Sequence, residues 1–318
     1  MSKIMITGGA GFIAFHLASS LKAQGHDVFG FDNYNDYYDP SLKRARVDEL
    51  SKLGVPVYTV DLCAKSDLDE LVKREKPDVV MHLAAHAGVR HSMENPGVYI
   101  ENNIVGTQNL IDVCEKYDVS KLIYASTSCV MAGNSLPWKE DEPTGHQLNP
   151  YGYSKRTNEC QFKVSKIEHV VGLRFFTVYG PWGRPDMALF TFTKNILDSK
   201  PIDVYNYGDM KRDFTYVDDI VQGIEIVINR TLTIDKPINE IYNIGYGQQV
   251  NLMDFIQEIE KNFGKIAEKN FLPIHPADTQ ETWSDTTKLQ QLGYKSTTPM
   301  SLGVEKFSNW YKHYYKVN

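Results

Sequence analysis

Residues 149–155 read NPYGYSK, and within them Tyr151 and Lys155 stand four apart, on one face of any helix that begins near Pro150. A phenol has an unperturbed pKa of about 10, so acting as a base near pH 7 requires a shift of about three units, or about 4 kcal/mol. An ammonium one turn away and a second positive charge nearby can together supply that shift. Spacing alone would equally describe an incidental Tyr and Lys on a helix surface. The pair has company, because the apolar run KLIYAS ends in Thr127, Ser128 and Cys129. Carboxyl ends of parallel strands face the ligand crevice, where a hydroxyl can bridge to a reacting substrate oxygen. The plainer role for Thr and Ser at such a place is to cap the next helix.

A second stretch, TGGAGFIA at residues 7–14, has the spacing Gly8-x-x-Gly11-x-x-Ala14 directly after the strand-like KIMI. Glycines there permit a tight turn and let backbone N–H groups approach a pyrophosphate, whose charge a helix N-terminus favours. Gly8, Gly11, Phe12 and Ile13 are therefore candidate cofactor contacts. The third glycine position governs helix–strand packing, so Ala14 is the least damaging departure. The run DVFGF ends in Asp32, where a carboxylate can accept the ribose hydroxyls of an adenosine. It would repel a 2′-phosphate, and Asn33, Tyr34 and Asn35 offer no cation to receive one. NAD is expected rather than NADP.

The elements that must carry these residues follow from the apolar pattern. KIMIT, DVFGFD, VPVYTVD, PDVVMHLAA, KLIYAST and HVVGLRFF are continuous apolar bursts, as strands buried on both faces of a parallel sheet require. Helical spacing in LASSLKAQ, LDELVKRE and NIVGTQNLIDVCEKYDV alternates with them, which predicts an α/β fold with a doubly wound parallel sheet. After Thr177 the pattern gives way to the loop VYGPWGRPDM and shorter mixed elements. The expected division is a dinucleotide-binding domain over residues 1–177 and a smaller mixed α/β substrate lobe over 178–318.

Composition narrows the partners. The chain has 318 residues, enough for one large core with an appended lobe, and a net charge of −6, which argues against general attraction to nucleic acid or anionic membrane. Cys63, Cys114, Cys129 and Cys160 are dispersed without a CxxC pair, so no metal site and no disulfide framework is expected. No apolar run approaches the ~18 residues of a membrane span. A cytoplasmic protein with reduced thiols is the expectation.

Over essentially its whole length the sequence resembles the extended short-chain dehydrogenase/reductases, specifically the nucleotide-sugar 4-epimerases, with the UDP-glucuronate 4-epimerase subgroup nearest. The segments that carry the resemblance are TGGAGFIAFHL, DNYNDYYDPSLKRAR, HLAAHAGVRHSMENP, LIYASTSCV, NPYGYSK, GLRFFTVYGPWGRPDMALFTFTK and RDFTYVDDI. The resemblance implies Tyr151 as the base, Lys155 as the residue that binds the nicotinamide ribose and lowers the tyrosine pKa, and Thr127 as a partner of the sugar 4-oxygen. It implies adenine contacts at Asp61 and Leu62, a dinucleotide-lining segment at Leu83, Ala84 and Ala85, and a supporting role for Asn103. In the substrate lobe it places Arg212 and Asp278 at the nucleotide diphosphate and its ribose, and Thr177 and Arg184 at the sugar end. Arg90, Ser128 and Cys129 complete the implied UDP-sugar contacts, and a homodimer through helices near residues 95–117 and 150–165 is implied as well.

Departures from the family pattern fall at Met131 and Ala132 in place of Tyr-Gly, at His86 and His91 in place of Gln and Tyr, and at Cys129 in place of serine. They are expected around the sugar pocket, so substrate identity is the open question. C4 epimerisation of UDP-glucuronate to UDP-galacturonate through a 4-keto intermediate is the expected reaction, with a neutral UDP-hexose or UDP-N-acetylhexosamine as the alternative substrate. A 4,6-dehydratase would carry Asp-Glu where this chain has Ser128-Cys129, and a UDP-glucuronate decarboxylase would carry Glu at Cys129. A non-catalytic NAD-binding sensor would have no need to keep both Tyr151 and Lys155.

Overall fold

The computed structural model describes residues 1–317. Seven parallel strands form one sheet in the order β11 (Ile238–Ile244), β6 (His169–Phe175), β5 (Lys121–Thr127), β4 (Val79–His82), β1 (Lys3–Thr7), β2 (Asp27–Asp32) and β3 (Val57–Thr59). The first half of the chain lays down β1 (Lys3–Thr7), α1 (Phe12–Ala23), β2 (Asp27–Asp32), α2 (Pro40–Lys52), β3 (Val57–Thr59), α3 (Lys65–Glu75) and β4 (Val79–His82). Short helices α4 (Val89–Glu94) and α5 (Pro96–Tyr99) run through a π-turn at Ile100–Val105 into α6 (Gly106–Lys116) and then β5 (Lys121–Thr127). Next come α7 (Pro150–Val164), β6 (His169–Phe175) and β7 (Thr177–Tyr179).

Strand order reverses between β1 and β4, so the loops after these two strands splay apart and open a crevice at their carboxyl ends. The strands around it are buried on both faces, and Ile4, Met5, Val79, Val80, Met81, Leu122 and Ile123 are all sealed from solvent. Each such side chain contributes roughly 1.5–3 kcal/mol, which makes the central strands a rigid platform for whatever sits at their ends. One face is covered by α1 and α9 (Val217–Thr233), the other by apolar residues of α3, α6 and α7.

The rest of the chain forms α8 (Ala188–Leu197), β8 (Ile202–Val204), β9 (Lys211–Arg212), β10 (Phe214–Tyr216), α9, β11 (Ile238–Ile244), β12 (Val250–Asn251), α10 (Leu252–Phe263), β13 (Lys269–Phe271), α11 (Thr287–Gln290) and α12 (Met300–Tyr315). Three two-stranded sheets, β7 with β10, β9 with β12 and β8 with β13, build the small lobe. Phe214 and Phe255 stack at its centre with ring centroids 4.0 Å apart.

The expected division at residue 178 is not a clean break in the chain. Strand β11 returns to the large sheet and pairs in parallel with β6 along its whole length, and α9 packs on α1. Segments beyond 178 thus complete the sheet as well as forming the lobe above its carboxyl edge.

Candidate active site

Between sheet and lobe lies a cleft of about 680 Å³, open to solvent at one side. Its floor begins at the glycine loop. Gly8 has φ +67°, and a Cβ there would stand 3.0 Å from both the Cα and the N of Ala84. A Cβ on Gly11 would approach the Gly8 carbonyl to 2.8 Å. The turn between β1 and α1 therefore needs glycine at both places, whereas Ala14 packs, buried, without conflict. Gly11 caps α1 without a side chain and no acid occupies the first turn, so the amides of Phe12 and Ile13 face the cleft free for an anion.

Leu83, Ala84 and Ala85 line the opposite rim, and the Thr7 hydroxyl holds them by accepting from the Leu83 and Ala84 amides at 3.1 and 2.9 Å. At the end of β2, buried Asp32 accepts from the Tyr34 amide at 2.8 Å and from the Ala10 amide at 3.3 Å. Lys43 from α2 stands 3.7 Å from the same carboxylate and also donates to Asn35. Sequence reasoning searched only the three residues after Asp32 for a cation. Lys43 arrives one helix later, so no local spacing announces it.

Leu62 lines the cleft, but Asp61 does not. Asp61 sits beneath, accepting from the Cys63 amide at 2.7 Å and from Asn33 at 3.0 Å, and shapes the loop on which Leu62 stands. Asn103 also stands behind the wall. The π-turn aims its side chain at the His86 backbone, where it accepts at 2.9 Å and donates at 3.0 Å, and it donates to Ser154 at 2.9 Å. It ties the loop after β4 to α7.

Helix α7 begins where Asn149 accepts from the Gly152 amide at 2.7 Å, a cap that contributes about 1 kcal/mol. The same Asn149 donates to the Ala277 carbonyl at 3.1 Å, fastening the helix start to the small lobe beside Asp278. Tyr151, Lys155 and Thr127 converge on the cleft from α7 and the end of β5. Burial, reinforced by Cys129, pushes the Tyr151 phenol up to about 12, while the neighbouring Thr127 hydroxyl and the charge of Arg184 pull the other way. Burial pushes the Lys155 ammonium down to about 8 against the opposing pull of Glu159. The expected lowering of the tyrosine by Lys155 is not what the protein alone shows, because desolvation outweighs every nearby charge. Among the described residues no oxygen accepts a hydrogen bond from Lys155, although it is only 2% exposed.

Glu159, one turn beyond Lys155, is itself locked by Arg174 at 2.9 and 3.1 Å and by Ser126 at 2.7 Å. That buried cluster fixes the rotation of α7 against β5 and β6.

The residues expected to bind substrate line the other end of the same cleft: Arg90, Ser128, Cys129, Thr177, Arg184, Arg212 and Asp278. Arg90 donates to Asp278 at 2.8 Å across the cleft and lies over the Tyr205 ring at 3.7 Å. Arg212 spends its donors on the carbonyls of Thr279 and Gln280, which places its charge beside Asp278 and Cys129. Arg184 forks onto Asp186, and the Tyr37 hydroxyl donates to the same carboxylate at 3.1 Å. Tyr37, Asp186 and Tyr205 are cleft residues that sequence reasoning did not single out.

Two of the departures are misplaced by the sequence reading. Met131 is buried with Val130, Trp138 and Phe176 in a separate core cluster, Ala132 is buried beside it, and neither lines the cleft. His86 and His91 do line it, and burial together with His91 and the nearby cations pushes His86 down to about 4.

The fit to a dinucleotide rests on the donors and acceptors that line the cleft. The N-terminus of α1 has no side-chain cap, the Asp32 carboxylate stands at a strand end, and Lys155 has no protein oxygen as acceptor among the described residues. Pyrophosphate and two riboses match them. Among the described residues no group of His, Cys, Asp or Glu side chains is arranged to hold a metal ion, and no helix is long and apolar enough to cross a membrane.

Comparison with known proteins agrees with this geometry. Protein CapI of Staphylococcus aureus is 43% identical over 99% of this chain and 99% of its own. A UDP-glucuronate 4-epimerase of Thermodesulfobacterium geofontis is 38% identical over 98% of this chain and 97% of its own. The crystal structure of a UDP-glucuronic acid 4-epimerase from Bacillus cereus, in complex with UDP-glucuronic acid and NAD, superposes with a TM-score of 0.91 at 36% identity, covering 98% of this chain and 100% of that one. The model of the NAD dependent epimerase/dehydratase family matches residues 4–245, and the chain belongs to that family.

Proposed function

We propose that this enzyme interconverts UDP-glucuronate and UDP-galacturonate by epimerisation at C4, through a 4-keto intermediate. The observation that carries the reading is the set of groups at the carboxyl end of β5: a half-buried Tyr151 facing the cleft with Thr127, which is followed by Ser128 and Cys129 rather than by acids. A base and hydroxyls suffice to oxidise and re-reduce C4, whereas elimination of water needs an additional acid. The full-length likeness to proteins bearing the UDP-glucuronate 4-epimerase name supports the same choice.

In this reading Gly8, Gly11, Phe12, Ile13, Asp32, Leu62, Leu83, Ala84, Ala85 and Lys155 hold NAD, with Asp61 and Asn103 supporting from behind. Bound NAD supplies the acceptor for the C4 hydride, the positive charge that the raised Tyr151 pKa calls for, and the return of the hydride, so that no net redox occurs. Tyr151 accepts the 4-hydroxyl proton and gives it back, Thr127 holds the 4-oxygen, and Lys155 donates to ribose. Arg212, Asp278 and Arg90 grip the nucleotide diphosphate and its ribose while the sugar turns. Thr177, Ser128 and Arg184 supply donors for a C5 carboxylate, each charge-assisted bond contributing roughly 1.5–3 kcal/mol. Cys129, a weaker donor than serine, favours a second reading in which a neutral UDP-hexose is the substrate.

Residues 1–177 would then be the NAD-binding portion and 178–318 the UDP-sugar portion, with β11 and α9 shared. Exposed Ile100, Val105 and Val164 support a homodimer through the stretches near 95–117 and 150–165, in a cytoplasmic setting. A panel of UDP-sugars with product analysis tests the function. UDP-glucuronate and UDP-galacturonate are expected to show the highest kcat/KM, and preference for a neutral sugar, or release of carbon dioxide, would overturn the assignment.

A further inference from the structure

Arg46, on α2, is completely buried and takes part in no ion pair among the described residues. Its donors end on two separate loops and one tyrosine. Nη1 donates to the Ala10 carbonyl at 3.0 Å and to the Tyr38 hydroxyl at 2.8 Å. Nε and Nη2 both donate to the Trp182 carbonyl, at 3.1 and 2.7 Å, and Nη2 also reaches the Gly183 carbonyl at 3.3 Å. Ala10 belongs to the glycine loop, and Trp182 and Gly183 directly precede Arg184. Arg46 does not line the cleft, yet it touches the supports of both ends.

We propose that Arg46 is a positioning residue that couples the two halves of the site: settling of the glycine loop on a dinucleotide fixes, through one guanidinium, the loop that carries Arg184. The inference rests on the reading of the cleft given above. A buried cation without a counter-charge is held in place only while its carbonyl partners stay aligned, so losing one set weakens the hold on the other. The planar fork transmits this because its nitrogens cannot move independently, which a lysine ammonium cannot imitate.

The far loop is the kind of element such a clamp would govern. Trp182 has φ +61°, a left-handed conformation that a bulky residue adopts only when its surroundings enforce it, and its carbonyl is the one that takes two of the Arg46 donors. The Ala10 peptide is held from both sides, its amide donating to Asp32 and its carbonyl accepting from Arg46. His16 on α1, within hydrogen-bond distance of the Pro181 carbonyl at 2.8 Å, gives the loop a second anchor, so that replacing Arg46 need not release it altogether.

Amide hydrogen exchange of the full-length protein, stripped of NAD and then saturated with it, tests the coupling without any sugar present. In the wild type, NAD should slow exchange of the amides between residues 182 and 187 (Pro185 carries none) at least tenfold, along with those of the glycine loop. In Arg46→Lys the glycine loop should still be protected while 182–187 respond less than twofold. With UDP-glucuronate, Arg46→Lys should raise KM about tenfold and leave kcat within threefold, a split that general destabilisation would not produce. The proposal is overturned if NAD leaves 182–187 unchanged in the wild type, a result that needs no variant to fold. It is overturned equally if Arg46→Lys keeps the wild-type protection or the wild-type KM. The substrate assignment fails separately, by absence of uronate turnover in the wild type.

Discussion

Replacing Lys155 with Met should abolish turnover and yet stabilise the NAD-free protein. Lys155 is 2% exposed, no oxygen among the described residues accepts from its ammonium, and burial lowers its pKa from 10.5 to about 8. At 1.36 kcal/mol per unit, that depression is a penalty of about 3 kcal/mol on the folded state. The sign follows from where the proton sits. Below about pH 8 both folded and unfolded chains carry it, and the folded chain bears the full penalty. Between about 8 and 10.5 the folded chain sheds the proton first, and the penalty fades. Methionine has similar length and no charge to desolvate, so at pH 7 the variant should gain up to about 3 kcal/mol in urea denaturation, or about 5 °C in Tm for a chain of this size. The gain should shrink as the pH approaches 10.5. If Lys155→Met is instead destabilised at pH 7, or its advantage does not depend on pH, burial is not the force acting on Lys155 and the argument for a missing ribose partner falls with it.

Four further substitutions probe the other roles. Tyr151→Phe should lower kcat by at least ~100-fold, the usual contribution of a positioned general base, with UDP-sugar affinity within a fewfold by calorimetry; near-normal turnover would remove Tyr151 from the mechanism. The wild type should bind NAD more tightly than NADP, and Asp32→Ser, which removes the repelling carboxylate and leaves Lys43 in place, should narrow that preference at least tenfold in direct titrations. Cys129→Ser should leave KM for UDP-glucuronate equal or lower, whereas Thr177→Val should lower kcat/KM by roughly tenfold, about 1.4 kcal/mol.

The parts of this molecule that were legible in the sequence are those in which local chemistry and global position coincide. The glycine loop needs its glycines for backbone reasons at that one turn, and the central strands announce themselves because both of their faces are buried. Strand β11 escaped notice because it is an edge strand: Asn239, Glu240 and Asn243 interrupt its apolar run, and Glu240 pairs outward with Arg230 at 2.7 Å. Met131 and Ala132 were misjudged because a chain position next to Cys129 does not say which way a short helical turn will rotate them. Lys43 and Arg46 were silent for a different reason. Both stand in the strongly charged run PSLKRARVDELSK, and only the packing of α2 against the glycine loop and the Trp182 loop turns these two side chains inward.

The central claim is that C4 is oxidised and re-reduced within one cleft, and the fate of the hydrogen on C4 tests it most directly. UDP-glucuronate carrying deuterium at C4 should yield UDP-galacturonate that retains the deuterium at C4, in a reaction that consumes no added nicotinamide cofactor. Loss of the label to solvent, or its accumulation in released reduced cofactor, would contradict the account.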